Sequence, residues 1–232
     1  MAVKTLQTVE NALAVLEVVA ELQPIGVSAL ARHMNMDKNT AQRILITLGA
    51  SGWIQKQPKG SAWELTPRVL TLSNRVAIDL RKDAHVQLEI LTQQLRETAL
   101  LWQLTYENDD IFATLLDKVD SGHDVKITME VGRRTRAQNE SSGFVGVRSL
   151  IREFPNGEAA WLGGANDDRQ RYFLVTPGGD SSTITIGSLI YDGPGQAIAV
   201  ISVVGPCERI SPTCYETIGR KTAEAARLLS GI

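Results

Sequence analysis

The chain has 232 residues, 43% of them hydrophobic and 22% charged, with a formal net charge of −2. That composition belongs to a soluble globular protein of one large domain or two small ones, with no basic excess overall. Two cysteines, Cys207 and Cys214, fit no zinc spacing and are too few for a disulfide framework, so reduced thiols are expected. Near the N-terminus Glu10 and Glu17 interrupt the apolar residues, so neither a signal peptide nor a membrane span is expected and the location expected is cytoplasmic. The charge is uneven: residues 1–75 carry +3 and the remainder −5, a sign that suits a DNA-binding head on an acidic body.

Thr8 is positioned to cap a first helix, with Val9, Ala12, Leu13, Leu16, Val19 and Ala20 as its apolar stripe. Gln23-Pro24-Ile25-Gly26 stops it. Ser28 is expected to cap a short second helix that packs Ala29, Leu30 and Met34 inward, and Asn35-Met36 makes a turn. In the third helix Ala41, Ile44, Leu45 and Leu48 fall at i, i+3, i+4 and i+7, with Asp37 at the N-cap. Its other side carries Lys38, Asn39, Gln42 and Arg43. Arg and Lys suit guanine and Asn and Gln suit adenine, so this is a candidate recognition helix of a helix-turn-helix. Ile46 lies one turn beyond Gln42 and Arg43 on the same side; contact with a thymine methyl and packing on the neighbouring hairpin both stay open.

Trp53–Lys56 and Ala62–Leu65 flank Gln57-Pro58-Lys59-Gly60-Ser61 and read as a hairpin. Three helices and a hairpin make a winged helix over residues 1–66. Lys56 and Lys59 are expected at the hairpin tip as phosphate contacts, while Trp53 and Trp63 fall on the strands and read as core. Thr66-Pro67 starts a linker helix over 67–82, whose seam of Val69, Leu72, Val76 and Leu80 is a plausible dimer contact.

Residues 83–232 read as an α+β body. Asp83 starts a helix with Val86, Ile90, Leu91 and Leu95 inward; Leu100–Tyr106 and Ile111–Leu116 form a hairpin; Val125–Val131 alternates like a third strand. The glycines of residues 137–182 sit in no strand–GxGxxG–helix context, which argues against a nucleotide fingerprint. Thr183–Tyr191 and Gln196–Val204 are strands around Asp192-Gly193-Pro194-Gly195, and Ser211-Pro212 opens a last helix with Tyr215, Ile218, Ala225, Leu228 and Leu229 inward.

The chain resembles IclR-type bacterial transcriptional regulators from end to end. The head carries the resemblance in TVENALAVLEVVAE, LARHMNMDKNTAQRILITLGASGWI and WELTPRVLTL, the body in YENDDIFATLLDKVDS, EVGRR and IYDGPGQAIAVISVVGPCERIS. The resemblance implies a winged helix-turn-helix, a linker helix and a GAF-like effector-binding domain, assembled as homodimers or homotetramers. It implies a double-stranded DNA operator and a small-molecule metabolite effector, an organic acid among the candidates, with no cofactor and no membrane partner.

The DNA-binding residues expected are Ser28, Lys38, Asn39, Thr40, Gln42, Arg43, Lys56 and Lys59. Asn39 stands where the family often has a small hydroxyl residue. The effector residues expected are Asn139, Ser141, Phe144, Leu189, Tyr191 and Ser202. Val204 replaces a second hydroxyl and Leu189 a smaller or more polar residue, which points to a ligand with few polar demands. Arg133, Arg134 and Arg136 offer forks for a carboxylate, and a solvated basic strand end is the competing reading.

Two alternatives remain. In one, the body only oligomerises. In the other, the body is an enzyme with Cys207 or Cys214 as nucleophile and His123 as base, but no oxyanion-hole or metal motif accompanies them and no catalytic residue is expected. His33 and His85 have no Cys or His partner at metal spacing, so no metal is expected.

Overall fold

The computed structural model describes residues 5–107, 110–136, 159–163, 172–175, 182–192 and 196–230. The chain divides into two units, Met1–Ile78 and Asp79–Ile232.

The first unit contains α1 (Gln7–Leu22), α2 (Val27–His33), α3 (Lys38–Ala50), β1 (Ile54–Lys56), β2 (Trp63–Leu65) and α4 (Arg68–Ser73). Its core gathers Val15 and Val19 of α1, Leu30 and Ala31 of α2, and Ala41, Ile44 and Leu45 of α3, closed by Ile25, Ile54 and Trp63. On α1 the stripe is rotated from the one expected. Val15 and Val19 are buried, whereas Val9, Leu13 and Ala20 are exposed, because only one narrow side of this helix meets the others. Helix starts also differ. Leu6 and Gly26 hold the extended N-cap positions of α1 and α2, so Thr8 and Ser28 lie two residues further in and cap nothing. The expected cap of α3 is present: Thr40 N donates to Asp37 Oδ2 at 3.0 Å. Asn35 makes the turn between α2 and α3 at φ 47, a left-handed conformation that Asn tolerates better than most residues.

β1 and β2 pair antiparallel, Lys56 opposite Trp63, and Ile25 adds a bridge to Trp63. Thr66 Oγ1 donates to Gly52 O at 2.6 Å and accepts from Arg68 N at 3.3 Å. Residues 67–82 are not one helix. α4 ends at Ser73, Ala77 takes φ 45, and α5 (Ile78–Leu95) begins there.

The second unit contains most of α5, then β3 (Thr98–Glu107), β4 (Asp110–Val119), β5 (Arg134–Arg136), β6 (Ala159–Gly163), β7 (Tyr172–Val175), β8 (Thr183–Asp192), β9 (Gln196–Pro206) and α6 (Pro212–Leu229). The strands form one antiparallel sheet in the order β5-β4-β3-β9-β8-β7-β6. One face carries the helices. Ser188 of β8 donates to Thr222 Oγ1 of α6 at 3.3 Å. His85 Nδ1 of α5 meets Asp117 Oδ2 of β4 at 2.8 Å, and Thr92 Oγ1 donates to Val119 O. Lys221 of α6 bonds Gln94 of α5.

α5 begins at Ile78 instead of Asp83, and it buries Ala84, Leu88 and Leu91, leaving Val86 and Ile90 exposed. On α6 the buried stripe includes Ile218, Thr222, Ala225 and Ala226, while Leu228 faces out. At the end of the sheet Glu97 is buried against Arg209, bonded at 2.5 and 2.9 Å. An added Cβ at Gly205 would lie 2.7 Å from Glu97 Oε2, so glycine is needed there.

The opposite face of the sheet is apolar: Leu100, Trp102, Leu104, Leu115, Leu189, Val200 and Val204 cluster there. Residues 125–131 are not a strand. They run as irregular chain whose Ile127 and Met129 pack on this cluster while Val125 and Val131 are exposed. Thr98 Oγ1 holds Ile127 O at 2.6 Å. The period-2 pattern is real, but it arises from laying alternate side chains onto the sheet, with the backbone outside the ladder. The edge strand is the three residues Arg134–Arg136, which the alternation did not mark.

Candidate nucleic-acid interface and sheet-face site

In the head, the packing of α3 decides what its other side presents. Burying Ala41, Ile44 and Leu45 turns Lys38, Asn39, Thr40, Gln42, Arg43 and Ile46 outward, and all six are exposed. Lys38, Gln42 and Ile46 line a groove of about 410 Å³ whose other walls are Gly26 to Ala29 at the start of α2 and Lys56, Ser61 and Trp63 of the wing. Ser28 therefore reaches this groove as a wall residue. Asn39 and Arg43 lie outside it, one turn apart on the exposed side of α3.

The wing is held by side chains that cross it. Gln55 Nε2 and Gln57 Nε2 donate to the two oxygens of Glu64 at 3.0 and 3.3 Å. Gln23 Oε1 accepts from Leu65 N at 2.8 Å. Lys56 is the last residue of β1, with its Nζ 5.3 Å from the centre of the Trp63 ring; it is not at the tip. Lys59 is exposed in the loop between the strands. Trp63 is buried as hairpin core, whereas Trp53 is half-buried with the Arg68 guanidinium 4.7 Å above its ring.

In the body, Leu189, Tyr191 and Ser202 share the sheet face opposite α5 and α6. Leu189 pairs with Val200 and Gly187 with Ser202 across β8 and β9. Leu100 of β3 lies on the other side of Ser202. Tyr191 packs against the cluster. Ser202 is fully buried, and its Oγ has no hydrogen-bond partner among the described residues. Gly187 adds no side chain beside it, and Leu100 is its neighbour on the other strand. The state of the hydroxyl is unusual, since a buried hydroxyl without a partner costs free energy. Nothing in the alternation of the strand revealed it, because the register of β8 on β9 decides which residue stands opposite. Asn139, Ser141 and Phe144 lie outside the described residues.

Arg134, one of the three arginines weighed for a carboxylate, is already engaged. Its guanidinium lies 3.8 Å over Phe112 and pairs with Glu107 at 2.6 Å. Arg133 is exposed, and the side chain of Arg136 lies outside the described residues. Cys207 is exposed, and hydrogen bonds with Ser211 and then Thr213 hold the Cys214 thiol below its ordinary range. His123 is held through its backbone N–H to Ser121 Oγ at 3.3 Å, and no described contact joins it to either cysteine.

Residues 8–58 match the IclR helix-turn-helix domain. The chain is 26% identical over 133 residues to the HTH-type transcriptional regulator KdgR of Escherichia coli (strain K12), a match covering 56% of this chain and 49% of that protein. It thus spans about half the length of that relative. It is 25% identical over 254 residues to the HTH-type transcriptional regulator BhcR of Paracoccus denitrificans (strain Pd 1222), covering 97% of this chain and 86% of that protein. The structure superposes with a TM-score of 0.70 at 19% identity on an IclR homolog from Microbacterium hydrocarbonoxydans solved in complex with 4-hydroxybenzoate, covering 97% of this chain and 99% of that one. The head thus matches the IclR helix-turn-helix over residues 8–58, and the fold is that of the solved IclR homolog.

Proposed function

We propose that this protein is a sequence-specific DNA-binding transcriptional regulator whose operator affinity responds to a small-molecule effector. The observation that carries the reading is the face of α3: five exposed polar side chains on one side and three buried apolar ones on the other, next to a cationic wing. Lys38, Asn39, Thr40, Gln42 and Arg43 read or bracket the major groove; Ser28, Lys56 and Lys59 contact phosphates. The acting species is a homodimer, which would cover the exposed Leu70, Leu72 and Val76 around the end of α4 and match a two-fold site. No helix among the described residues is long and apolar enough to cross a membrane, which agrees with action on DNA in the cytoplasm.

The test is binding of the full chain to its own upstream intergenic DNA against scrambled competitor, at several salt concentrations. Preferential binding with a steep salt dependence is the expected result. Equal binding to both DNAs at every salt overturns sequence specificity, and no binding at low salt overturns the DNA-binding reading itself.

The effector site is the sheet face opposite α5 and α6, with Leu189 and Tyr191 as apolar wall and Ser202 as the polar group. The compound bound by the Microbacterium homolog, a small aromatic acid, has the form such a face suits: an apolar ring with few polar atoms. Ser202→Ala separates this role from a structural one by sign. Removing an unpartnered buried hydroxyl is expected to raise the melting temperature of the ligand-free protein slightly. The same change is expected to reduce the thermal shift produced by aromatic acids, since a ligand bound only to the folded state stabilises it by mass action. An unchanged ligand shift in Ser202→Ala removes Ser202 from the site. No shift with any organic acid leaves the body as an oligomerisation domain.

A further inference from the structure

We infer that Ile46 is a specificity-determining residue that reads the 5-methyl group of a thymine in the major groove. The inference rests on the DNA-binding reading of α3 and goes beyond it by naming an apolar contact and the base it selects.

Ile46 is 53% exposed on a helix whose other large apolar residues are buried or half-buried. The core of the head takes Ala41, Ile44 and Leu45, with Leu48 packed partly against it, and Ile46 joins neither set. Packing on the wing would have hidden it. Instead it stands in the groove wall with Lys38 and Gln42, across from Lys56 and Ser61. Asn39, Gln42, Arg43 and Ile46 occupy i, i+3, i+4 and i+7 of one helix. That is the spacing at which a homeodomain's recognition helix reaches bases, so a position seven residues after the first reader stays within reach of the groove floor.

The chemistry selects the base. Three of these four side chains are hydrogen-bonding, and the fourth can offer only apolar contact. In the major groove the one apolar feature of a base edge is the thymine methyl. Isoleucine suits the task because branching at Cβ restricts χ1, so its methyl groups are held in place before DNA arrives. An isoleucine 53% exposed adds little to the stability of the head, and packing against a methyl group in the complex covers the surface it leaves open.

The experiment uses the full chain and an operator selected by that chain from a random duplex library. Each thymine of the operator is replaced singly by deoxyuridine, which deletes only the methyl group. Wild-type protein is expected to lose about fourfold in affinity at one thymine of a half-site, the loss for one buried methyl-sized group. Ile46→Ala is expected to bind the thymine operator about fourfold more weakly and to show no further loss with uracil at that position. Its salt dependence and melting temperature should match wild type, because an exposed side chain that contacts no phosphate changes neither.

Specific binding by wild type with no uracil-sensitive position overturns the inference while the DNA reading stands. An Ile46→Ala variant that keeps the full uracil penalty does the same, since another residue then reads the methyl. A wild-type chain that selects no sequence overturns both.

Discussion

Arg43→Ala is expected to weaken operator binding by about 1–3 kcal/mol, the contribution of one bidentate side chain to a base, and to relax the preference for guanine at one position of each half-site. Arg43 occupies the second turn of α3, exposed, on the side opposite the buried Ala41, Ile44 and Leu45. Its guanidinium has no partner among the described residues, so its five donors are available without first breaking a protein contact. A planar fork matches O6 and N7 of guanine, which a lysine ammonium at the same position would not reproduce.

The salt dependence identifies the kind of contact. If Arg43 reads a base, the variant loses discrimination while the slope of log affinity against log salt changes little. If Arg43 holds a phosphate, affinity falls evenly on all sequences and the slope drops by about one. Lys59→Ala, from the exposed wing loop, is expected to give that second pattern. Arg43→Ala with unchanged affinity and unchanged preference would remove it from the interface.

The head interface and the sheet-face site of the body differ in how far the sequence foretells them. α3 is legible because three local signals agree: an Asp at the N-cap, a 3.6-residue apolar stripe, and polar residues confined to the other side. Each is decided within one turn of the helix, and the structure keeps all three. Ser28 and Thr8 failed as caps because many residues beside a helix start are chemically able to cap, and the backbone settles which one sits in the extended position; here Gly26 and Leu6 do.

Asp83 failed for the related reason that a polar residue inside an exposed helix resembles the start of one. Residues 125–131 misled because alternation reports only that every second side chain touches something apolar. In a ladder and in a chain laid across a sheet face that pattern is the same.

On the sheet face, alternation does put Leu189 and Tyr191 on one side and Ser202 in line with Val200 and Val204. It does not show that Gly187 stands opposite Ser202 or that the hydroxyl lacks a partner. Those facts belong to the pairing of two strands. The charge of Lys56 suggests the wing tip, whereas its pairing opposite Trp63 places it over the indole ring.

Trp63 is where α3, the wing and the loop after α1 meet, and its removal is expected to have the largest effect on stability. The residue is 7% exposed. Its backbone exchanges two hydrogen bonds with Ile25, at 2.8 and 3.0 Å, and its ring lies on the last turn of α3. A Cβ added at Gly49 would come within 2.8 Å of ring atom Cζ3, so the glycine exists to let helix and indole touch.

Trp63→Ala leaves a cavity bounded by α3, β1 and Ile25 that the short strands cannot close without moving. A loss of about 3–5 kcal/mol is expected, which lowers the melting midpoint of a unit this size by roughly 12 °C or more. Trp63→Phe keeps a smaller aromatic ring and removes an indole N–H that has no partner among the described residues, so its loss should be smaller than that of Trp63→Ala. Hydrogen exchange read segment by segment checks both. Trp63→Ala should raise exchange through Ile25, α3 and both wing strands and leave β8 and β9 unchanged. Operator affinity should fall with it even at temperatures where the head stays folded, because Lys56 loses the ring that holds it and Gln42 and Ile46 lose the opposite wall of their groove. Unchanged exchange in α3 after Trp63→Ala would show that the helix owes its position to the α1 and α2 contacts alone, and that the wing is bound to it only loosely.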